Sequence, residues 1–452
     1  MHVAYASNYG YSVGLALRLK NEGHDVMFWC DPGTEKDSSV GRLKLCGKGL
    51  VPVTHSWAYL LAWAKEHALR SPTIMVFEGS RMGDKADAAR RAGIHVIGSG
   101  KFCDRLEADR LFGFKIAEEA GCSLPPYEDF KTISDAIAFA RTLGDTATFW
   151  KTDKYLESDA TRGTRNGEEL VAYLEGVRRN FGENIPSIIQ QKIEGVALST
   201  ARWWNGRAWT GRFEGDIEHK KAFNDELGPS TGCSFDAVWF YESDTPPIAS
   251  ALGWEMIGKV FAQQEAPPGV YDINAVCDAE GRAHFLEWTP RFGWDSTPTS
   301  FALLKSELGQ FFWGLATGTA DGPDMSSDIA YSIRLGVPPY PWEHWCPPQD
   351  KFRFTPPAAY GIELDDPMFL GYQLAQDDEA GLVVASPDGL LGLALDTGRA
   401  LSAIDERVRD WIDEHKSGVS GMVARTDGAK RVKSDAAALN ATDLKVPEGL
   451  LR

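Results

Sequence analysis

The chain has 452 residues, of which 43% are hydrophobic and 25% are charged, and its formal net charge is −17. This length allows two or three domains with cores of their own. The negative charge argues against a broad nucleic-acid-binding surface, although a local basic cleft is compatible with it. No apolar run approaches the ~20 residues needed to span a bilayer, so no membrane association is expected.

The N-terminal stretch, MHVAYAS, predicts a β-strand and lacks the charged and then apolar segments of a signal peptide. The seven cysteines are scattered and form no C-x-x-C pair. This pattern indicates reduced thiols and no zinc site. These features together predict a cytoplasmic protein.

Residues 1–100 alternate strand and helix patterns, which predicts a parallel sheet wrapped by helices. The first turn, Ser7–Ser12, has one glycine and no G-x-G-x-x-G, so a dinucleotide site is not expected, although N–H groups at the strand ends could contact an anion. The predicted strands are His2–Ala6, Asp25–Cys30, Thr73–Phe77 and His95–Ile97, and the predicted helices are Ser12–Glu22, Trp57–Leu69 and Lys85–Ala92.

The next segment predicts one helix from about Cys103 to Ala120, which contains Arg110 and ends at Gly121 before two prolines. A strand, Thr148–Lys151, then ends on a lysine. Residues 152–163 offer the polar donors of Ser158, Thr161 and Arg162 but a single glycine. A helix over Gly167–Arg178 and a strand over Ser187–Gln191 follow.

A β-hairpin is predicted from Val270–Cys277 and His284–Trp288, joined by the turn residues D-A-E-G. Its second strand presents Glu287 and is followed by Pro290 and the loop 291–293, which carries Arg291. Such a pair could hold a metal–phosphate group and orient an anionic substrate. Taken alone, the hairpin favours a solvated glutamate and a structural arginine.

Two further motifs change that interpretation. The run E-H-K-K at 218–221 is followed, after six residues, by G-P-S-T-G at 228–232. The Gly-Pro pair predicts a tight turn with Thr231 and neighbouring N–H groups facing an anion. For His219, a bond to a neighbouring carbonyl and a role facing the substrate are equally supported.

These motifs, in this order with Arg110, Lys151 and the Glu287–Arg291 segment, resemble the ATP-grasp ligases, and most of all the phosphoribosylamine–glycine ligase family. The resemblance covers about residues 1–432. It implies an α/β fold, in part α+β, with a two-lobed ATP-binding region. The implied domains are an N-terminal pre-ATP-grasp domain at 1–100, an ATP-grasp domain at 101–330 with a mobile ATP-binding subdomain at 148–200, and a C-terminal domain at 331–432. Residues 433–452 lack periodicity and are predicted to be a tail.

The resemblance also implies a role for each matching residue. ATP is expected at Arg110 and Lys151 through its phosphates, and at the hinge and ribose positions Gln190, Gln191, Ile193 and Glu194. Mg²⁺ or Mn²⁺ is expected at Glu287 with Asn274 or Asp272. The amine and amino acid are expected at His219, Lys220, Gly228, Pro229, Ser230, Thr231, Gly232, Arg291 and Asp295, with Arg291 and Lys151 as catalytic residues.

The sequence departs from the family pattern at three positions. The loop after Lys151 is poor in glycine, the ribose glutamate is replaced by Ala197, and the metal-binding asparagine by Thr289. Three hypotheses stay open: an ADP-forming carboxylate–amine ligase acting on glycine and phosphoribosylamine, a paralogue that joins an amino acid to another amine, and a non-catalytic binding protein. All imply small-molecule partners and a monomer or homodimer.

Overall fold

The computed structural model describes residues 1–31, 45–152, 161–319, 322–342, 359, 361–379, 381–385 and 389–452. The segment 153–160, which includes the candidate donor Ser158, lies outside the described residues. No helix within the described part of the chain combines the length and apolarity that a membrane span requires.

The first hundred residues form the predicted parallel sheet, with the strand order β3-β2-β1-β4-β5. Alternate residues of β1 enter two different cores, Val3 and Tyr5 on one face and Ala4 and Ala6 on the other, because helices cover both faces. The elements are β1 (His2–Ser7), α1 (Val13–Asn21), β2 (Asp25–Cys30), β3 (Val53–Thr54), α2 (Trp57–Ala68), β4 (Thr73–Phe77), α3 (Gly83–Arg91) and β5 (His95–Ile97).

The helix predicted over 103–120 is two helices, α4 (Lys101–Ala108) and α5 (Arg110–Glu119), so the prediction of one helix is wrong. Asp109 between them has an extended backbone, and its side chain accepts a hydrogen bond of 3.0 Å from the Phe112 N–H. An aspartate competes for backbone donors in this way and starts a new helix. Arg110 therefore occupies the first position of α5.

A small antiparallel sheet follows, with the strand order β6-β9-β7-β8 and two helices packed on it. Its core is a separate cluster around Trp150, Leu170, Leu174 and Ile189. The elements are β6 (Tyr127–Phe130), α6 (Ile133–Ala140), β7 (Thr148–Thr152), β8 (Thr161–Thr164), α7 (Gly167–Phe181) and β9 (Ser187–Gln191).

The third sheet has eight strands in the order β14-β13-β10-β11-β12-β15-β19-β16, in which β16 is Phe369–Gly371 and β19 is Leu390–Gly398. It contains the predicted hairpin and also strands of the predicted C-terminal domain. Its first part comprises β10 (Val196–Trp204), β11 (Trp209–Phe223), β12 (Leu227–Phe240), α8 (Pro247–Ala251), α9 (Trp254–Gln263), β13 (Gly269–Cys277), β14 (Ala283–Thr289), α10 (Ser296–Ser300), α11 (Leu308–Thr317) and β15 (Ile329–Gly336).

The turn predicted at G-P-S-T-G is wrong. These residues begin β12, and the reversal of the chain lies earlier, at a short 3₁₀ segment, Asn224–Glu226. Asp225 and Glu226 adopt positive φ there, and β11 pairs with β12 through two register shifts. The hydrogen-bonded ladder, rather than the Gly-Pro pair, therefore decides where the hairpin turns.

The C-terminal part completes the large sheet with β16 (Phe369–Gly371) and β19 (Leu390–Gly398) and covers it with helices. It also contains a separate two-stranded sheet of β17 (Leu374–Asp377) and β18 (Gly381–Val384), and the helices α12 (Leu401–His415) and α13 (Gly428–Asn440). The prediction of a tail at 433–452 is wrong, because Ala436, Leu439, Leu444, Val446 and Leu450 are buried. Apolar side chains at i, i+4 and i+7 of α13 pack on the protein.

Candidate active site

Four charged side chains from four separate elements lie together, and we name them the charged cluster: Arg110, Lys151, Lys220 and Glu287. Arg110 begins α5 and donates through Nη1 to Glu287 Oε2 at 2.6 Å. Burial would raise the pKa of Glu287, but Arg110, Lys220 and Lys151 hold that pKa well below its usual range. Glu287 is therefore a carboxylate at any physiological pH.

Lys151 lies near the end of β7 with only 6% of its surface exposed. Burial is the main cause that lowers the pKa of this ammonium to about 8; Glu287 opposes the shift, and Arg110 and Lys220 contribute to it. Lys220 instead pairs with Glu218, Nζ to Oε1 at 2.7 Å, and this neighbour raises the Lys220 pKa. The cluster thus carries a surplus of positive charge.

The candidate metal ligands lie on neighbouring strands beside the charged cluster. Asn274 is the cross-strand partner of Glu287, and Asp272 is that of Thr289. Asn274 Nδ2 donates to Asp272 Oδ2 and to Thr289 Oγ1, both at 3.0 Å. Asp272 Oδ1 is buried and has no hydrogen-bond partner among the described residues. Burial, reinforced by Glu218, raises the pKa of Asp272 to about 8.

Further acidic residues lie behind these ligands and were missed in the sequence. Glu214, Asp216 and Asp236 are buried in β11 and β12. Burial raises the pKa of each carboxyl, and neighbouring carboxylates add to the shift. Acidic residues at 214, 216 and 218 share one face of a strand, because side chains alternate with a period of two. That spacing is the signal that could have found them.

The loop 291–293, which we name the arginine loop, joins this site to the N-terminal sheet. Arg291 Nε lies 3.3 Å from Glu107 Oε1, and Nη1 donates to the Phe292 carbonyl at 3.0 Å. The Phe292 N–H donates to the carbonyl of Glu78, which follows β4, at 3.0 Å. Arg291, Lys220, Asp272 and Glu287 line one pocket. The loop therefore brings a fixed cation next to the candidate metal ligands.

Two predicted substrate contacts, Asp295 and Thr231, have structural roles instead. Both oxygens of Asp295 accept bonds from Arg334, at 2.9 and 2.6 Å, and the pair is almost fully buried. The Thr231 hydroxyl is engaged with Lys220 O, Cys233 O and Ser234 Oγ. Direct substrate contact by the Asp295 side chain and an anion-facing Thr231 hydroxyl are therefore wrong.

His219 lies between two carboxylates rather than against a carbonyl. Its Nδ1 is 2.9 Å from Glu226 Oε1, its Nε2 is 2.8 Å from Asp435 Oδ2, and its ring stacks on Phe235 with centroids 4.8 Å apart. Burial would lower the His219 pKa, but Asp435 and Glu226 raise it. Since Asp435 lies on α13, its hydrogen bond with His219 holds this helix at the edge of the site.

The remainder of the G-P-S-T-G run lies around the same region. Gly228 and Ser230 are exposed at the start of β12, with Pro229 between them, and Ser230 lines a larger cleft with Glu287. At Gly232, φ is +86° and an added Cβ would lie 2.6 Å from the Trp294 ring. Glycine at this position lets Trp294 pack against β12.

The larger cleft is about 960 Å³ including its open mouth, which is enough for a nucleotide. Its lining includes the segment 195–199, just beyond the predicted hinge. Within the hinge, Gln190 is buried and its amide has no partner among the described residues, whereas Gln191 is exposed. Glu194 is exposed and pairs with Lys192 at 2.6 Å, next to the half-buried Ile193. Their contacts to a nucleotide stay predictions.

No protein-family model matches the chain. The phosphoribosylamine–glycine ligase of Leifsonia xyli subsp. xyli is 22% identical over 431 residues, which cover 93% of this chain and 97% of that relative. The protein of the same name from Mycobacterium leprae is 23% identical over 329 residues, covering 70% and 74% of the two chains.

Solved structures show a similarity to the same family at the level of the fold. The Thermotoga maritima phosphoribosylamine–glycine ligase matches with a TM-score of 0.71 at 15% identity, covering 94% of this chain and 100% of that one. The biotin carboxylase domain of Hydrogenobacter thermophilus 2-oxoglutarate carboxylase, solved with MgADP, matches with a TM-score of 0.62 at 13% identity, covering 96% and 93%.

The sheet topology and these structural matches define an ATP-grasp fold, which confirms the predicted fold class. Within that class, the chain is similar along nearly its whole length to phosphoribosylamine–glycine ligases, as its motifs indicated.

Proposed function

We propose that the chain is an ATP-dependent ligase that joins a carboxylate to an amine and releases ADP and phosphate. The observation that carries this proposal is the convergence of Arg110, Lys151, Lys220 and Glu287 on one site. Arg110 and Lys151 beside Glu287, with Lys220 paired to Glu218, suit a triphosphate with its divalent ion. The similarity to phosphoribosylamine–glycine ligases supports the same class of reaction.

The donor set fits a divalent cation such as Mg²⁺ or Mn²⁺. Glu287 and Asp272 offer carboxylate oxygens, the hard ligands that such ions prefer, and Asp272 Oδ1 lacks a partner among the described residues. The hydrogen bonds from Asn274 fix the other oxygen of Asp272. When bound, the ion would offset charge that develops on the phosphates.

The reaction proceeds through an acyl phosphate. The substrate carboxylate attacks the γ-phosphorus of ATP and displaces ADP, and the amine then attacks the acyl carbon and displaces phosphate while it loses a proton. Lys151 and Arg110 hold the phosphate oxygens, and Arg291 stabilises the anionic intermediate. The substrates are a small carboxylic acid and a small amine, for which the relatives' names suggest glycine and phosphoribosylamine.

Nucleotide binding and turnover can be separated in one experiment. Mg-ATP binding is measured first by calorimetry, and ADP release is then measured with glycine and freshly generated phosphoribosylamine, each alone and together. We expect ADP only when a carboxylate and an amine are both present. Glu287→Ala is expected to lower turnover by a factor of at least about 10².

The control is Glu280→Ala, which makes the same change at the exposed turn of the same hairpin. This variant is expected to keep wild-type activity. A native protein that binds no nucleotide contradicts the proposal. If the protein binds nucleotide but does not turn over glycine and phosphoribosylamine, only this choice of substrates is refuted. A panel of other amines then tests the hypothesis of a paralogue with a different amine substrate.

A further inference from the structure

Three side chains of metal-binding types lie together at the amino-terminal edge of the N-terminal sheet. His2 begins β1 and Asp25 begins β2, and the two residues are partners in the parallel ladder. Because α2 leads from the end of β3 to the start of β4, its last turn brings His67 to the same edge. One ligand atom from each residue lies within 4.8 Å of the other two. We name these three residues the histidine cluster.

The histidine cluster lies at the edge of the sheet opposite to the proposed reaction site. The arginine loop contacts the carbonyl of Glu78, just beyond the carboxyl end of β4, whereas His2 and Asp25 stand where their strands begin. The six residues of β1 cover roughly 17–20 Å between the two edges. A ligand of the histidine cluster is therefore independent of the proposed function.

The contacts within the cluster bring nitrogen and oxygen donors into one small volume. His2 Nδ1 lies 2.8 Å from Asp25 Oδ2. The His2 ring stacks on the His67 ring with centroids 4.0 Å apart, and Trp63 packs edge-on against His67 at 4.5 Å. The carboxylate and both imidazoles are thus held close together by the sheet and by the end of α2.

The donor atoms of the cluster are accessible to a ligand. Within the described part of the chain, the His67 ring contacts the rings of His2 and Trp63 and forms no hydrogen bond. The Asp25 side chain is 56% exposed, and its described hydrogen bond is the one with His2. The carboxyl end of α2 adds partial negative charge beside His67, which favours a cation.

The donor set selects the kind of ion. Two imidazoles and one carboxylate suit Zn²⁺ and similar transition metals, whereas Mg²⁺ prefers oxygen ligands. In a tetrahedral site with bonds of about 2.0–2.1 Å, ligand atoms stand about 3.4 Å apart. Since the ion lies in the plane of each imidazole, the His67 ring must turn out of the stack, and movements of about 1.5 Å then complete the site. The cysteines, on which the expectation of no zinc site depended, take no part.

We propose that the histidine cluster binds one Zn²⁺ ion per chain, with His2, Asp25 and His67 as ligands and water in the remaining position. Neutral imidazole binds the ion, and a ring that binds through Nδ1 keeps its proton on Nε2. The ion joins the end of α2 to the first two strands of the sheet. Its role is structural, because the proposed reaction site lies at the opposite edge.

The test is a zinc titration by calorimetry on the full chain without a histidine tag, at pH 7 and with Mg²⁺ in excess to fill sites made of oxygen ligands. We expect one Zn²⁺ per chain with a Kd of about 10 µM or tighter. His67→Ala and Asp25→Asn are each expected to weaken zinc binding at least about tenfold. Co²⁺ in place of zinc should give the visible absorption bands of a four-coordinate ion, and His67→Ala should abolish them.

Two controls separate this site from other places where zinc could bind. His95→Ala makes the same change at the exposed start of β5, on the same edge of the same sheet, and should leave zinc affinity unchanged. Glu287→Ala alters the proposed reaction site and should also leave it unchanged. Asp25→Asn replaces one atom of an exposed side chain, so the test stands even if His67→Ala disturbs α2.

Three results would overturn the proposal. The first is a Kd for zinc weaker than about 10 µM in the native protein. The second is an affinity that neither Asp25→Asn nor His67→Ala lowers. The third is a loss in Glu287→Ala or His95→Ala as large as that in His67→Ala, because the zinc would then be bound elsewhere.

Discussion

At the scale of single residues, the burial of Lys151 lowers its pKa into a range in which a bound ligand can change its protonation. Its position in β7 is determined locally, but its low pKa comes from burial and from Arg110 and Lys220, which other elements supply. An ammonium with a pKa of about 8 is partly neutral in the empty protein at slightly alkaline pH. A bound triphosphate would restore its proton.

This coupling gives a pH prediction. Above pH 8 the empty protein holds less than half a proton at Lys151, whereas the complex with phosphate holds nearly a full one, so nucleotide binding takes up a proton. Affinity for Mg-ATP is then expected to fall with rising pH above 8, by at most about tenfold per pH unit. Calorimetry in buffers of different ionisation enthalpy measures the uptake.

Lys151→Arg is the control, because a guanidinium stays protonated throughout this range. Its affinity should be nearly independent of pH between 8 and 10, whatever its absolute value. A wild-type affinity that is equally flat would contradict the assigned role of Lys151.

At the scale of elements, Asp109 is the residue that divides one predicted helix into two and sets the direction of Arg110. Asp109→Ala removes the cap of α5 and is expected to lower the free energy of unfolding by about 1 kcal/mol. Because Arg110 follows the cap, nucleotide affinity should also fall. Urea denaturation measures the first effect and calorimetry the second.

Asp109→Asn separates the cap from the charge, because asparagine caps helices as well as aspartate does. It is expected to retain both stability and affinity. Loss of stability in the asparagine variant equal to that of the alanine variant would show that the cap is not the cause.

The contact between α13 and the sheet gives another prediction. The His219 pKa is raised above its usual 6.5 by Asp435 and Glu226, so the folded state favours the charged imidazole. This stabilisation is complete below pH 6.5 and is lost as pH rises through the folded-state pKa. Asp435→Asn should therefore cost about 1–3 kcal/mol at pH 6 and clearly less at pH 9.

Urea titrations of both proteins at the two pH values provide the measurement. Asp443→Asn, a change of the same kind at an exposed site after α13, is the control and should show no such pH dependence. If Asp435→Asn lowers the free energy of unfolding equally at pH 6 and pH 9, the charge of His219 is not the cause of the loss.

At the scale of the whole molecule, the Asp295–Arg334 pair ties the loop after β14 to β15 in the interior. The side chains are 0% and 1% exposed, and the Tyr372 hydroxyl donates to Asp295 Oδ1 at 2.8 Å. Asp295→Asn leaves a buried guanidinium without its counter-charge, and we expect a loss of roughly 3–5 kcal/mol in unfolding free energy.

The double variant Asp295→Asn with Arg334→Met is expected to recover much of that loss, because it removes the uncompensated charge. Lys259→Met on the surface, which breaks an exposed pair with Glu255, should cost at most about 1 kcal/mol. A double variant that is less stable than Asp295→Asn alone would contradict a coupled pair. Urea denaturation serves for all four proteins.

The sequence by itself determined the local order of the chain. Alternating apolar runs with glycine and proline boundaries placed Asp25–Cys30, Thr73–Phe77, His95–Ile97 and Ser187–Gln191 with the observed bounds. Motif order indicated the ATP-grasp fold, and Arg110, Lys151, Lys220 and Glu287 were singled out before their proximity was visible. These features depend on residues near each other in the chain or on spacing along it.

Only the tertiary structure decided which side chains meet. The sequence suggested that Asp295 and Thr231 face substrate, yet Arg334, which lies 39 residues away, occupies Asp295, and the adjoining strand occupies Thr231. It gave no reason to connect His2 with His67, because neither forms a local motif. Burial and pairing across distant strands determine the pKa values, the positions of the clefts and which buried acceptors lack a hydrogen-bond partner. Such long-range contacts leave little trace in local residue patterns.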